Sequence, residues 1–253
     1  MTPFEQHCIR HLSASSLNLF AAEPALWVME KLLGQRAPVG CAAHRGSAIE
    51  YGVNLGLMQP DKPVKECQEA AEQEYTRLTA LTADPNRAKE GEAVAPAVAL
   101  AIAELRQYGA PDPIPAGTHQ HKVERNLPGV SAPLIGYLDW KFSTHGIIVD
   151  LKTSLKLTSE IGDAHARQGA MYAAGTNFEM RFCYVTPKKL AVYRLEDANE
   201  HLNALTQIAL RLQKFLSVSN DKQELAAIVC PNFESFYWSS PTARAAGRQV
   251  YGF

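Results

Sequence analysis

The sequence predicts an α/β protein with a central mixed β-sheet flanked by helices and a helical elaboration before it. Helical patterns fill the chain to about residue 110, where the stretch GAPDPIPAG, dense in Pro and Gly, interrupts them. The order that follows is three strands, one helix, two strands and a last helix. Strands and helices alternating in this way favour one sheet with helices packed on its faces.

The N-terminal part contains several predicted helices. Ser13 can cap the first one, SSLNLF, and Pro24 suits the first turn of the second, ALWVMEKLLG, which Gly34 can close. A third helix is predicted in CAAHRGSAIEYGVNLGLM because its apolar residues recur at helical spacing. Two more are predicted over about residues 63–81 and 87–108.

Alternating or continuous apolar runs predict the strands of the second part. These are HQHKVERNL, PLIGYLDWKFS and HGIIVDLKTS, then RFCYVTP and KLAVYRL after a helix over about residues 159–175. A clearly amphipathic helix is predicted over residues 200–216, and the tail from Cys230 is predicted to be irregular. We expect a single domain over residues 1–253, with a helical part at about 12–110, a core at about 118–218 and a tail at about 230–253.

Composition is that of an ordinary globular protein, with 46% hydrophobic and 20% charged residues. The formal net charge of -1 does not indicate a polyanionic partner, so a nucleic-acid surface would have to be a local basic patch. The five cysteines are scattered and form no CxxC pair, which fits a reducing cytosol better than a disulfide framework or a zinc knuckle. No signal-peptide pattern or membrane-spanning run is present, so we expect a cytoplasmic protein without membrane contact.

The stretch VDLKTS places an acid and a lysine two residues apart at the end of a buried strand. Period-two geometry puts Asp150 and Lys152 on the same face. Because buried charge is costly unless it is paired or binds a metal, the two residues form either a structural ion pair or part of a site.

A second acid is predicted to come close to this pair. Asp139 lies on the preceding strand, and the turn through His145–Gly146 makes the two strands antiparallel. Asp139 and Asp150 would repel each other there unless a divalent cation joined them. Oxygen ligands favour a hard cation, Mg²⁺ or Mn²⁺, which together with a lysine can activate water and neutralise charge on a phosphodiester.

The order G-x-x-D, hairpin, D-x-K resembles the PD-(D/E)XK nuclease superfamily, and specifically its RecB-like exonuclease branch. Three more segments are similar to motifs of that branch: LSASSLNLF with the downstream Trp27, RGSAIE ending in Glu50, and HARQGAMY, which places Gln168 and Tyr172 on one helical face. Together these segments span about residues 12–175. The resemblance implies a restriction-endonuclease-like core for the α/β fold.

The resemblance also implies roles for individual residues. Asp139, Asp150 and Glu50 would be ligands of one or two Mg²⁺ or Mn²⁺ ions, together with the backbone carbonyl of Leu151. Lys152 would position or help deprotonate the attacking water. The residues implied to face the substrate or Lys152 are Gln168 and Tyr172, and Glu124 matches, with less weight, an acid often found in this branch.

Further residues are candidates for substrate contact, each with an alternative reading. His165 lies one turn before Gln168 and can reach a phosphate, whereas Lys156 and Arg167 either line a DNA groove or are simply solvated. Glu50 is also explained as a surface acid beside an arginine, and Tyr172 as a core residue. Trp140 faces away from Asp139 and is expected to pack under the sheet.

The chain departs from the family pattern in three places. Leu138 stands where a proline often precedes the first acid. Glu23 stands where some relatives have the first cysteine of an iron–sulfur cluster, and near the C-terminus only Cys230 is available, so no cluster is expected. No GxxxxGK[ST] motif is present, so any nuclease here is free-standing or depends on a separate motor.

These observations predict a metal-dependent DNA exonuclease of the kind that acts in recombination, repair or phage replication. Two alternatives remain open: a structure-specific or restriction-type endonuclease of the same fold, and a catalytically inactive DNA-binding subunit. Candidate partners are DNA, further copies of the chain, a single-strand-annealing protein and a helicase. The expected location is the bacterial cytoplasm, or the host cytoplasm for a phage protein.

Overall fold

The computed structural model of the protein describes residues 1–115 and 120–253. The first residue of the predicted strand HQHKVERNL and the predicted core boundary near residue 118 therefore lie outside the described residues. The helices, α1 to α11 in chain order, are Pro3–Gln6, Ala14–Ala22, Pro24–Trp27, Cys41–Met58, Val64–Leu78, Arg87–Glu92, Val94–Leu105, Asp163–Thr176, Ala198–Leu216, Lys222–Ala227 and Pro241–Tyr251. Within the described ranges, none of them has both the length and the apolar composition required to cross a membrane.

In the described ranges the strands form two sheets rather than the single sheet that was predicted, and the larger of them has the predicted mixture of strand directions. They are β1 to β6, at His121–Arg125, Leu134–Leu138, Trp140–Phe142, Ile147–Thr153, Glu179–Val185 and Leu190–Arg194. An antiparallel pair joins β1 to β2, and a four-stranded sheet has the order β3-β4-β5-β6. In the larger sheet β4 and β5 are parallel and the other pairs are antiparallel, so α8 is the crossover between two parallel strands.

The predicted single strand PLIGYLDWKFS is wrong in one respect, because the chain divides at Asp139. The residues before it, in β2, pair with β1, and the residues after it, in β3, pair with β4. Leu138 packs in the core on one side of the larger sheet, whereas Trp140 packs in the core on the other. Asp139 therefore lies at the point where the chain passes from one sheet to the other.

The two faces of the larger sheet are covered by different helices. Ile148 of β4 and Phe182 of β5 pack in the core that contains residues of α8 and α9. Val149 and Leu151 of β4 face the opposite core, which contains residues of α4, α5 and α7. The continuous apolar run before Asp150 is explained by burial on both faces.

Two predicted helices are interrupted. The segment ALWVMEKLLG begins at Pro24 as α3 but passes into a π-helical turn at Val28–Leu32, and Gly34 follows with a left-handed φ of 72°. The helix predicted over residues 87–108 is divided into α6, α7 and a 3₁₀ turn at Arg106–Tyr108.

The expectation of an irregular tail from Cys230 is wrong. A 3₁₀ turn at Phe236–Trp238 precedes α11, whose first turn is capped by the Ser240 side chain. Trp238 is buried in a third small core together with residues of α3 and α11. The physical reason is that one buried indole gives an amphipathic Ala- and Arg-containing helix a surface on which to pack, which a composition rich in Ser, Gly and Arg does not reveal.

Candidate functional site

The predicted pair of opposite charges is an ion pair within β4, between its fourth and sixth residues. Lys152 Nζ lies 2.6 Å from Asp150 Oδ2, and the Asp150 side chain is only 3% exposed. Both side chains face α8, as Ile148 does two residues earlier in the same strand. Asp150 Oδ2 nevertheless accepts no hydrogen bond of good geometry from the described residues. The contact of this oxygen with the Lys152 ammonium is therefore an electrostatic one.

A line of polar contacts leads from this ion pair to α8. Lys152 Nζ donates to Gln168 Oε1 at 3.0 Å, and Gln168 Nε2 donates to the Tyr172 hydroxyl at 2.9 Å. The four-residue spacing puts Gln168 and Tyr172 on one helical face, as the sequence predicts. Tyr172 is buried, so it acts on Lys152 through Gln168.

Asp139 is anchored to the same strand through the backbone. Its Oδ2 accepts a hydrogen bond from the Leu151 backbone N–H at 2.8 Å. Because the N–H and C=O of one strand residue point to the same side, the Leu151 carbonyl faces the same edge of β4 as Asp139. The carbonyl that the resemblance implies as a ligand is thus directed toward the first acid.

Glu50 reaches the site from α4 and meets Asp139 through a residue that the sequence did not indicate. Gln120 Nε2 donates to Glu50 Oε1 at 2.9 Å and to Asp139 Oδ1 at 3.3 Å. One amide group therefore bridges two carboxylates. Glu50 is partly buried, and its carboxylate accepts from Gln120 rather than pairing with Arg45, which pairs with Glu90 instead.

The proximity of the carboxylates alters their acidity. The pKa of Asp139 is raised well above its ordinary value, first because protein encloses the carboxyl group and second because the charges of Asp150 and Glu50 lie nearby. The residue as a whole keeps some exposure to solvent. Burial and then the charge of Asp150 likewise raise the pKa of Glu50. The cluster is therefore one in which a proton or a cation is electrostatically favoured.

His165 lies beside the cluster on the same face of α8. Its Nδ1 is 2.8 Å from the Tyr184 hydroxyl, and its ring stacks on Phe182. Burial, followed by the charge of Lys152, lowers the pKa of His165 to about 4. The imidazole is therefore neutral at physiological pH and offers hydrogen bonds rather than positive charge.

The glycine of the G-x-x-D motif has a packing reason in the structure. A Cβ at Gly136 would lie 2.5 Å from Tyr172 Cε1 and 3.1 Å from Met171 Sδ. The absence of a side chain at Gly136 thus lets β2 approach α8 closely. Two motifs that are separate in the sequence, G-x-x-D and Q-x-x-x-Y, touch each other at this point.

A buried ion pair fixes α4 against the end of β4. Arg45 pairs with Glu90 of α6, and Arg45 Nη2 donates to the Thr153 carbonyl at 3.2 Å. Arg45 lies five residues before Glu50 in the same helix, so this contact holds the helix that carries the third acid.

Three other predicted residues lie apart from the carboxylates. Glu124 is exposed on β1 and pairs with Lys122 at 2.6 Å. Arg167 is directed toward α2, where its Nε donates to Asn18 Oδ1 at 2.7 Å. Lys156 is exposed in the loop that follows β4. The structure thus brings together Glu50, Asp139, Asp150, Leu151, Lys152, Gln168 and Tyr172, with His165 beside them.

The fit of a cation depends on how the carboxylates are spaced. In the described ranges, no group of three or more His, Cys, Asp or Glu side chains is already arranged to hold a metal ion. The donors themselves, three carboxylates and a backbone carbonyl, are the oxygen ligands that Mg²⁺ and Mn²⁺ prefer. The site therefore fits a hard cation by the chemistry of its donors, whereas its acids would have to move closer together to bind one.

Gln120 is the site residue that sequence reasoning missed. Its position follows from strand register, since His121 pairs with Leu138 and the next step of the antiparallel ladder brings Gln120 opposite Asp139. The sequence did indicate a strand beginning in this region. It offered no means of deciding the register between that strand and the next one.

Comparisons with known proteins leave the assignment to the site itself. No protein-family model and no curated protein matches the sequence. One solved structure that is similar is the crystal structure of SSO0001, with 15% identity and a TM-score of 0.35, covering 75% of this chain and 85% of that chain. A TM-score of that size carries no argument about fold family or function.

Proposed function

We propose that the chain is a metal-dependent DNA nuclease of the PD-(D/E)XK superfamily, acting as an exonuclease of the RecB-like type. The observation that carries the proposal is the convergence of six side chains from strand β4, the junction between β2 and β3, and two helices. These are Glu50, Asp139, Asp150, Lys152, Gln168 and Tyr172. An ion pair between Asp150 and Lys152 with a purely structural role would not require Glu50 and Asp139 nearby. Nor would it require the hydrogen-bonded side chains of Gln168 and Tyr172.

The topology supports a restriction-endonuclease-like core as the finer description of the fold. β3 and β4 form the antiparallel hairpin, α8 crosses over, and β5 lies parallel to β4. The acids lie at the junction before β3 and at the middle residue of β4, with Lys152 two residues further along that strand.

Each residue has a role that follows from its chemistry. Asp139, Asp150, Glu50 and the Leu151 carbonyl would hold Mg²⁺ or Mn²⁺. The chemistry that such a cation supplies when bound is Lewis-acid stabilisation of the phosphate and activation of water. The acids must be ionised to act as ligands, so ion binding and deprotonation of Asp139 and Glu50 are coupled.

Lys152 is the cationic group of the reaction. Gln168 holds its ammonium from one side and Asp150 from the other, so the group is oriented before a substrate arrives. Directed N–H bonds can then stabilise the charge that develops on the scissile phosphate, which is the main contribution that fixed donors make to catalysis. His165, neutral and beside Lys152, can donate or accept a hydrogen bond without adding charge.

Exposed aromatic residues flank the acids and can contact the bases of DNA. Tyr51 follows Glu50 in α4 and Tyr137 precedes Asp139 by two residues, and they are 50% and 51% exposed. Tyr137 also lines a cleft of about 180 Å³ against Gln168 and Tyr172. Aromatic side chains beside a backbone-binding groove stack on unpaired bases with little sequence preference.

Digestion of labelled DNA tests the proposal. The purified chain is incubated with end-labelled linear DNA, blunt and tailed, and with closed-circular DNA, in Mg²⁺, in Mn²⁺ and in EDTA. An exonuclease degrades the linear DNA in the presence of either cation and leaves the circle intact. The Asp150→Asn variant serves as the inactive control, because it keeps the shape of the side chain without the ligand charge.

The other outcomes each contradict part of the proposal. Cleavage of closed circles would indicate an endonuclease of the same fold. Salt-dependent DNA binding without cleavage in either cation would indicate an inactive DNA-binding subunit. Undiminished cleavage by Asp150→Asn would exclude this site as the catalytic centre.

A further inference from the structure

Gln120 occupies an unusual position between two acids that are proposed to act together. Its single NH₂ group donates to Glu50 Oε1 at 2.9 Å and to Asp139 Oδ1 at 3.3 Å. A primary amide has two N–H bonds, and here they serve two carboxylates from different elements, α4 and the junction between β2 and β3. The amide supplies hydrogen bonds but no charge.

The amide also sets the distance between the two oxygen atoms. Its N–H bonds diverge by about 120°, so acceptors at these distances lie roughly 5 Å apart. Oxygen ligands at about 2.1 Å from one octahedral Mg²⁺ lie between about 3 Å and about 4 Å apart. Glu50 Oε1 and Asp139 Oδ1 therefore cannot bind one ion together while the Gln120 amide remains between them.

The surroundings make this competition consequential. Asp150 lies near both acids and raises the pKa of each of them. An N–H group that donates to one of these carboxylates reduces the repulsion between them. Hydrogen bonds to charged groups are also stronger than those between neutral groups. An ion that draws both oxygens together has to replace the two Gln120 hydrogen bonds.

We propose that Gln120 is a positioning residue that competes with the cation for Glu50 and Asp139 and thereby sets the metal affinity of the site. This inference rests on the proposed function, because it concerns the cation of that reaction. The Gln120 amide keeps the acid cluster folded and separated, and it withdraws when the acids close on an ion. Gln120 therefore lowers the metal affinity, whereas a residue that holds the ligands in their metal-binding positions would raise it.

Titration with the metal alone tests the inference without any DNA. Binding of Mg²⁺ and of Mn²⁺ to the full chain is measured by calorimetry, and thermal unfolding is followed in EDTA. The variant is Gln120→Met, which keeps the volume and removes both donors. Gln107→Met is the matched control, since Gln107 donates to one exposed carboxylate, that of Glu104, outside the site.

Competition predicts two changes of opposite direction in one variant. Gln120→Met binds the cation about tenfold more tightly, as expected when a charge-assisted hydrogen bond no longer has to be broken, and it melts at a lower temperature in EDTA. Gln107→Met changes neither quantity. Gln120→Glu, which adds an oxygen ligand, also binds the cation more tightly and guards against misfolding of the methionine variant.

Two results overturn the inference in distinguishable ways. In the first, the wild-type chain binds the metal, Asp150→Asn abolishes that binding, and Gln120→Met binds the metal equally or more weakly. This result overturns the inference about Gln120 and leaves the proposed function standing. Absence of metal binding by the wild-type chain and by every variant overturns both.

Discussion

Lys152 lies between Asp150 and Gln168, at 2.6 Å from the carboxylate and 3.0 Å from the amide oxygen. The acid is buried, whereas the lysine side chain is 20% exposed. One end of the ion pair is thus fixed in the sheet and the other reaches the surface. An ammonium group held in this way is available to a phosphate without leaving its partners.

Substitution of Lys152 tests both roles of the ion pair. We expect Lys152→Met to lower Mg²⁺-dependent DNA cleavage by about 10²–10³-fold, because a directed cationic donor is lost. In EDTA it also destabilises the fold by about 1–3 kcal/mol, since Asp150 remains buried without a partner and the pair was partly exposed. Added Mg²⁺ restores part of the lost melting temperature.

The matched control for this variant is Lys122→Met. Lys122 pairs with Glu124 at the same N···O distance, 2.6 Å, but both side chains are about half exposed. Loss of an exposed pair changes stability by less than about 1 kcal/mol. Equal effects of the two substitutions on cleavage would contradict the special role of Lys152.

The effect of a Glu50 substitution on thermal stability is expected to have opposite signs in the absence and in the presence of the metal. In EDTA, Glu50→Gln removes one charge from a crowded cluster and keeps the acceptor for Gln120, so the melting temperature rises by roughly 2–4 °C. The gain is larger at pH 8 than at pH 5, because the pKa of Glu50 is raised in the folded chain and the wild-type protein therefore loses stability as the pH rises from the ordinary pKa of the carboxyl group through the raised one. With Mg²⁺ present the variant loses metal stabilisation. Thermal melts under the four conditions measure the effect, with Glu124→Gln as the exposed control.

The lowered pKa of His165 predicts that the folded protein becomes less stable in acid. Because its pKa falls from 6.5 to about 4, the unfolded chain binds a proton in that range that the folded chain does not, and stability declines as the pH falls from about 6.5 to about 4. His165→Gln removes about 1–2 kcal/mol of this decline, allowing for partial solvent screening. Denaturant unfolding at several pH values measures the slope. An unchanged slope, or an equal change in His145→Gln at an exposed turn, would refute the assignment.

Two glycine substitutions test the contact between the motifs. Gly136→Ala places a Cβ 2.5 Å from Tyr172 Cε1, so we expect a loss of about 1–3 kcal/mol and weaker cleavage as Tyr172 and Gln168 shift. Gly46→Ala meets only Thr153 Oγ1 at 3.3 Å in the interior of α4, where alanine favours the helix by about 1 kcal/mol. Equilibrium unfolding and DNA cleavage compare the two variants. Comparable stability of both would contradict the close approach of β2 and α8.

Local patterns predicted much of the fold because they act over short distances. The amphipathic helix predicted over residues 200–216 corresponds to α9, at Ala198–Leu216. The hairpin through His145–Gly146 is present as β3 and β4, with Gly146 in the left-handed region. Helical periodicity and a turn glycine are properties of residues that are close in the sequence, so the structures they predict depend little on contacts with distant parts of the chain.

Predictions that depended on distant partners were less successful. The chain divides at Asp139 because Leu138 and Trp140 pack in different cores, and α11 forms because Trp238 gives it a buried surface. No pattern within PLIGYLDWKFS or the tail contains that information. Tertiary packing overrides local preference in both places.

The sequence by itself determined the chemistry of the candidate site, since residue types and period-two spacing put Asp150 and Lys152 on one face and helical spacing joined Gln168 to Tyr172. Only the tertiary structure decided how far apart the acids lie and what stands between them. Gln120 reaches Glu50 and Asp139 through strand register and helix docking, which bring together residues 70 and 19 positions apart in the chain. Such contacts depend on the sum of many weak packing interactions, and a short stretch of sequence does not record that sum.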